Sequence, residues 1–182
     1  MGNAFELKLK NGQIGESLIS HWLRSKGWNV LPVYEMEVNH GKGPRLFSAQ
    51  SQIVAPDAIA FKGEKVMWIE VKHKTAFTEY RIKGTFQTGI DLRHYMEYIK
   101  ISELNEWPLW ILFFHAGGTA KDSAPSPAGL YGGEIRYLMS CEDHRSEKHG
   151  HTGMVYWNEQ DLKKLATYDE VVCSVFEQAK LF

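Results

Sequence analysis

Residues 53–73 read IVAPDAIAFKGEKVMWIEVKH. Two apolar runs, Ile53 to Phe61 and Lys65 to His73, flank Lys62-Gly63-Glu64-Lys65, and Gly-X at the centre of so short a connection marks a tight II′ hairpin. Pairing outward from Gly63-Glu64 sets Phe61 against Val66, Ile59 against Trp68 and Asp57 against Glu70. Side chains alternate between faces, so Asp57, Ile59 and Phe61 share a face with Trp68, Glu70 and Lys72. Directly opposed Cβ atoms lie about 4.5–5.5 Å apart, which predicts two carboxylates side by side with an ammonium one step further along.

Like charges opposed across a sheet repel, and one lysine does not neutralise two carboxylates, so the arrangement asks for a cation. Mg²⁺ takes one or two carboxylates together with waters and phosphate oxygens. A metal held there polarises a phosphoryl oxygen and activates a water, while Lys72 stabilises the developing charge or orients the water. This is a phosphodiester-hydrolysing site in outline. A solvated face of an amphipathic hairpin, with Ala58, Ala60, Met67, Ile69 and Val71 turned inward, has the same alternation. Against that reading, Ile59, Phe61 and Trp68 make the carboxylate face apolar too, and carboxylates clustered on a sheet buried on both sides are unfavourable unless they serve a site.

Outward from the hairpin, Asn11 as N-cap and Gly27 as stop predict a helix over Gly12 to Lys26, with Ile14, Leu18 and Trp22 facing the core, Ile19 widening the stripe and Glu16 at its margin. Trp28 to Tyr34 reads as a strand and Asn39 to Ser51 as a loop. A helix is expected over Thr88 to Leu104 and a buried strand over Leu109 to His115. Gly117 to Gly129 is a Gly/Ser/Ala/Pro loop. Strands are expected over Gly132 to Met139 and Met154 to Trp157, then a helix capped by Asn158 and running through Leu165, and another from Asp169 or Glu170 to Lys180.

Pro56-Asp57 followed by Glu70-Val71-Lys72 resembles the PD-(D/E)xK motif of the restriction-endonuclease-like nuclease superfamily. The preceding helix with Gly15-Glu16, then a strand, is similar to the archaeal and phage Holliday-junction-resolvase branch. The resemblance covers roughly Gly12 to His115. It implies an α/β fold: an αβββαβ core (about 12–116) with a mixed central sheet flanked by helices, a loop (about 117–129) and a C-terminal αβ extension (about 130–182), all in one nuclease domain. It further implies Asp57, Glu70 and Lys72 as catalytic residues, with Asp57, Glu70, Glu16 and the Val71 carbonyl as ligands of Mg²⁺, for which Mn²⁺ substitutes. The activity implied is structure-selective cleavage of branched DNA by a homodimer, in recombination or repair. A restriction- or repair-type nuclease on linear DNA shares the motif, and so does a non-catalytic DNA- or protein-binding module that keeps the fold. The superfamily often supplies a further polar residue from the helix after the core, where His94 lies one turn from Tyr98.

The 182 residues, 43% hydrophobic and 24% charged, suit a globular chain, and a net charge of -1 leaves any nucleic-acid contact to a local basic surface. Lys74, Arg81, Lys83 and Arg93 form such an excess after Glu70 and are candidate DNA contacts, with Phe77, Tyr80 and Phe86 interleaved for stacking or for the core. Two cysteines are too few for a disulfide framework. Cys141, His144, His149 and His151 have a spacing that admits structural Zn²⁺, although Cys₄ and Cys₂His₂ are the usual sets and the segment also reads as a charged solvent loop. No run approaches the roughly 18 apolar residues of a membrane span. A cytoplasmic protein with no small-molecule cofactor is expected.

Overall fold

A computed structural model describes residues 2–33, 45–47, 52–104, 106–119, 124–150 and 152–178, with the side chains of 2–11 and 177–178 excepted. The 53–73 stretch folds as the hairpin its sequence predicts. Strands β4 (Ala58–Lys62) and β5 (Lys65–Lys74) pair antiparallel with Phe61 opposite Val66 and Ile59 opposite Trp68, and Gly63 takes a φ of +59° at the turn. Ile53 and Val54 belong instead to a separate short strand, β3 (Gln52–Val54), which pairs with β2 (Arg45–Phe47). Strand β2 falls within the expected Asn39 to Ser51 loop. Its neighbours 39–44 and 48–51 lie outside the described residues, as does the end of the strand expected to reach Tyr34.

Edge strand β1 (Asn29–Pro32) lies antiparallel to β4, and β8 (Leu109–His115) runs parallel to β5 on its other side. Strands β9 (Gly129–Glu134) and β12 (Lys163–Ala166) continue the sheet antiparallel, in the order β1-β4-β5-β8-β9-β12. Helix α1 (Gly2–Ser25) precedes β1, and α2 (Leu92–Leu104) precedes β8. The restriction-endonuclease-like order α-β-β-β-α-β is therefore present, built on a mixed sheet with helices on both faces. Ile69, Val71 and Leu112 point to one face, against Ile19, Trp22 and Leu23 of α1 and Val171 of α4 (Tyr168–Gln178). Trp68, Ile111 and Phe113 point to the other, against Tyr95 and Ile99 of α2.

A second sheet closes over that other face. Its order is β10-β11-β7-β6, from β6 (Thr78–Tyr80), β7 (Thr85–Asp91), β10 (His144–Ser146) and β11 (Met154–Asn158). This corrects the helix expected from Thr88: residues 88–91 are strand, because Thr88 and Ile90 pair with Trp157 and Val155 of β11. Asp91 then starts α2 by accepting the Arg93 N–H at 3.0 Å. Gly132 to Met139 also divides, with β9 ending at Glu134, whose carboxylate caps α3 (Ile135–Ser140) by accepting from the Arg136 and Tyr137 N–H groups. Asn158 heads only a 3-10 turn over Glu159–Asp161 and makes no capping bond, since its side chain is drawn to Asp143 and Gln87, and the expected helix is β12. Helix α4 starts with a reciprocal box between Thr167 and Glu170, within a residue or two of the expected place.

Helix α1 is longer than the Asn11 cap suggests. Ala4, Glu6, Leu7 and Lys8 are good helix formers, and the helix runs from Gly2 through Asn11. It ends as expected at Gly27, with φ +81° and the Trp28 N–H returning to the Leu23 carbonyl. Of its expected stripe, Ile19 and Trp22 are buried and Leu18 is half-buried, but Ile14 is 50% exposed, and Gly15 and Leu23 face the sheet. Gly15 decides this. A Cβ there would stand 2.6 Å from the His73 Cβ, so the helix approaches β5 closely only because that position is glycine. Gly15→Ala is expected to destabilise the fold by about 1–3 kcal/mol despite alanine's better helix propensity, read as a lower urea midpoint with unchanged m.

Candidate functional site

The β4–β5 ladder runs through the Ala58–Ile69 pair and stops. Its next rung would join residue 56 to Val71, but Pro56 has no N–H to give. The chain bends at Asp57 instead, and the Asp57 carboxylate enters the plane of the sheet to accept the Val71 N–H at 2.7 Å. The Asp57 carbonyl is held from the other side by the Val33 N–H at 2.9 Å. Beyond Ile69, β5 thus continues to Lys74 with β8 on one side and a notch on the other. N–H and C=O of one strand residue point the same way, so the Val71 carbonyl faces that notch without a Pro56 N–H to satisfy it. Asp57 consequently does not stand across from Glu70 as a ladder partner, which corrects the simple register expectation.

Sheet edges are where the two faces meet, and the notch collects residues from both. Glu70 and Lys72 come from the α2 face, Asp57 lies in the plane, and Glu16 comes from α1 on the opposite face. The Lys72 Nζ is ion-paired with Glu70 Oε1. Glu70 is 1% exposed, burial and then the Glu70 charge push the Tyr98 hydroxyl well above its usual range, and the Glu70 Oε2 is buried with no hydrogen-bond partner among the described residues. On the α1 side, a cleft of about 350 Å³ opens between Glu16 and Asp57, with Gln13, Ser17, Ser20 and His21 along it. The Glu97 carboxylate accepts the Val54 N–H at 2.7 Å and so ties the approach to Pro56 to α2.

Charges in this notch are mutually coupled. Burial and then the Glu70 charge push Asp57 well above the ordinary carboxylate range, against the opposing pull of Lys72 and the Val71 N–H. Glu16 is raised by burial and by Glu70. Burial acts to lower Lys72, but the Glu70 and Asp57 charges outweigh it and hold the ammonium above its usual value. Further along the same face, Lys74 has burial and Lys72 against it and falls to about 8. His94 is half-buried, one turn from Tyr98, and lowered by burial and Lys72, which puts it within electrostatic reach of the cluster.

The remaining expected residues are dispersed. Lys83 is bonded to Asp143 at 2.7 Å, Arg93 is paired with Glu97 at 3.6 Å, and Arg81 lies at the tip of the β6–β7 hairpin, so with Lys74 they do not form one patch. Of the candidate zinc set, Cys141 Sγ donates to the Leu138 carbonyl, His144 Nδ1 meets Asp143 and His149 Nδ1 meets the Tyr156 hydroxyl; His151 lies outside the described residues. Among the described residues, no group of three or more His, Cys, Asp and Glu side chains converges at metal-binding distances. Neither is any described helix long and apolar enough to cross a membrane. In the sequence Tyr98 stands out as part of the apolar spacing of the expected helix and as a neighbour of His94. Glu97 and His115 do not stand out there, because their partners come from distant elements.

No family model matches the sequence, and no curated protein matches it. Solved structures to which the chain is similar include the following two. One is Hjc of Archaeoglobus fulgidus, a Holliday junction resolvase from an archaeal hyperthermophile, at 11% identity and a TM-score of 0.49 over 82% of this chain and 90% of that one. The other is a nuclease from a fusselovirus, at 12% identity and a TM-score of 0.41 over 99% of this chain and 96% of that one.

Two stability measurements follow from the charges. A carboxyl whose folded pKa exceeds its unfolded value holds its proton more tightly when folded, so stability is lost as pH rises through that interval. Asp57→Asn keeps an oxygen for the Val71 N–H and removes the charge; it is expected to raise Tm near pH 8, with the gain fading towards about pH 4. His115 behaves oppositely. It is fully buried, stacked on Phe77 with ring centroids 3.5 Å apart, and pushed by burial and Lys74 from 6.5 down to about 3. A base with a lowered folded pKa stabilises above its unfolded pKa and loses that contribution as pH falls below it. Unfolding free energy should drop by up to about 1.4 kcal/mol per pH unit below 6.5 from this group, and His115→Phe should flatten that slope in urea titrations.

Proposed function

We propose that this protein is a divalent-metal-dependent nuclease that hydrolyses phosphodiester bonds in DNA at the Asp57–Glu70–Lys72 notch. The observation that carries the reading is the Glu70 carboxylate: buried, with one oxygen on Lys72 and the other without a hydrogen-bond partner among the described residues. A buried acceptor left in that state is unfavourable unless something else occupies it. Glu70, Asp57 and Glu16 do not all stand at metal-binding distances, but with the Val71 carbonyl they are the oxygen donors that would close on a hard cation such as Mg²⁺ or Mn²⁺. Such an ion supplies Lewis acidity and a water of lowered pKa.

The chain's own residues divide the remaining work. Asp57 and Glu70 provide negative charge on two sides of the notch. The electrostatic cost of holding them together, visible in the raised Asp57, is what a bound cation relieves. Glu70 and Asp57 both favour the Lys72 ammonium, which as a cation would neutralise charge developing on a phosphoryl oxygen. Tyr98 lies near enough to Glu70 on the α2 side to feel its charge, and would serve as a positioning residue there. Lys74 lies two residues further along the face, where it would meet a phosphate of the bound strand. Selectivity for branched DNA and a dimer that cuts paired strands belong to the same reading, supported by the resemblance of the Pro56–Lys72 motif and its preceding helix.

Cleavage of a labelled four-way junction and of a linear duplex, each with Mg²⁺, Mn²⁺ or EDTA, tests this. Cleavage is expected with either metal, none with EDTA, a preference for the junction, and losses of at least about a hundredfold for Asp57→Asn and Lys72→Ala. Wild-type rates in both variants would remove the notch from the mechanism. Equal cutting of junction and duplex would retain the nuclease and discard the branched substrate.

A further inference from the structure

The two sides of the notch differ in chemistry. Lys72 and Lys74 alternate onto the α2 side with Glu70, whereas no lysine or arginine among the described residues lines the α1-side cleft. The floor of that cleft is apolar, from Val30 and Pro32 of β1 with Ala58 and Ile69 of the hairpin. Its lip is polar and uncharged, from Gln13, Ser17 and Ser20, which succeed one another along one side of α1. Glu16 and Asp57 stand where the cleft meets the notch.

A serine inside a helix commonly turns its hydroxyl back onto the helix's own backbone. Ser25, Ser102, Ser140 and Ser174, one from each α-helix, do so, donating to the carbonyl three residues earlier at 2.6 to 2.7 Å. Ser17 and Ser20 do not. Their hydroxyls and the Gln13 amide make no hydrogen bond with any described residue, so the lip offers three sets of donors and acceptors to whatever enters.

We infer that the α1-side cleft holds an unpaired nucleobase of the strand whose phosphate lies in the notch; this rests on the nuclease reading and specifies its substrate as DNA with a displaced nucleotide at the cut. Phosphates are drawn to lysine and arginine, which lie across the sheet. Within the cleft His21 is the one base, against the two carboxylates Glu16 and Asp57. A nucleobase is the neutral part of a nucleotide, with an apolar face and an edge of donors and acceptors. That matches an apolar floor beneath a lip of amide and hydroxyls. The volume of about 350 Å³ is at the small end of ligand pockets, about 300–1,000 Å³, and suits one base with its sugar. In a duplex that edge is taken by the partner base, so only a displaced base reaches the lip. Displacement costs least where a base is already unpaired, as it is beside a branch point.

The test uses four-way junctions carrying 2-aminopurine at successive positions through the branch point, bound by the full chain with Ca²⁺ in place of Mg²⁺. Wild type is expected to raise the fluorescence strongly at one position. Ser20→Leu, which fills the cleft, should lose most of that rise and bind about tenfold more weakly. Making that nucleotide abasic should bring the two proteins within about twofold of each other. Ser17→Ala combined with Ser20→Ala adds no bulk; it should lose part of the rise while melting with wild type, and it decides the matter if Ser20→Leu melts lower. An equal rise in both variants, each still bound, overturns the cleft assignment and leaves the nuclease reading standing. So does the absence of a rise at every position with wild type bound. A tenfold gap that persists on the abasic junction also overturns it, because the base is then not what the cleft contacts. Failure of wild type to bind the junction overturns cleft and branched substrate together. A rise that Ser20→Leu abolishes, without any cleavage in Mg²⁺, supports the cleft and rejects the catalysis.

Discussion

The hydrogen bond from the Val71 N–H to the Asp57 carboxylate decides how this molecule is arranged around its notch. A proline at position 56 ends one side of the β4–β5 ladder, and a strand left half-paired must satisfy its N–H groups some other way. Asp57 is the side chain within reach. By turning into the sheet plane it closes the ladder and can be approached from both faces. Only with Asp57 there can Glu16, carried by a helix on one face, act on Glu70 and Lys72, which point to the other. Move the proline by one residue and Asp57 would stand on a single face, out of reach of α1.

That placement carries an electrostatic penalty that the rest of the structure bears. Three carboxylates and two lysines share a partly desolvated space, and their proton affinities are driven in opposite directions: Asp57 and Glu16 up, Lys72 up, Lys74 down to about 8. Isolated surface charges relax into water and show nothing of this kind. The cluster persists because it is over-determined by its surroundings. Gly15 lets α1 close on β5, Glu97 fixes the segment before Pro56, and Lys72 pairs with Glu70. Strain of this sort, maintained by several independent elements, is the usual companion of a working site.

Local chemistry was legible in the sequence and long-range pairing was not. The β4–β5 register followed from Gly63 alone, because a two-residue turn leaves no freedom in who faces whom. Asp57, Glu70 and Lys72 were recognisable as a group for the same reason. The in-plane turn of Asp57 was readable in principle, since Pro56 cannot continue a ladder, but alternation alone suggested a facing pair. Thr88–Asp91 looked helical because its apolar spacing merges with that of α2; what makes it strand is β11, more than sixty positions later in the chain. In α1 Ile19 and Trp22 are buried as expected, but Ile14 turns outward and Gly15, which was not counted as apolar, faces the sheet because its missing side chain lets the helix approach. Asn158 resembled a cap, and a buried Asp143 claimed its side chain first.

The segment after His115, where the family resemblance faded, completes structures begun earlier in the chain. A two-stranded hairpin such as β6–β7 is marginal in water on its own. Pairing of β11 with β7 turns it into a four-stranded sheet, whose Ile90 and Val155 enter the same core as Trp68 and Phe113. Asp143 and Asn158, both from this late segment, then anchor the hairpin through Lys83 and Gln87. On the opposite face α4 packs against α1, the helix that presents Glu16. Residues 130–178 therefore act on the notch by restraint: they immobilise the two elements, α1 and β7–α2, that bring Glu16 and Tyr98 to it.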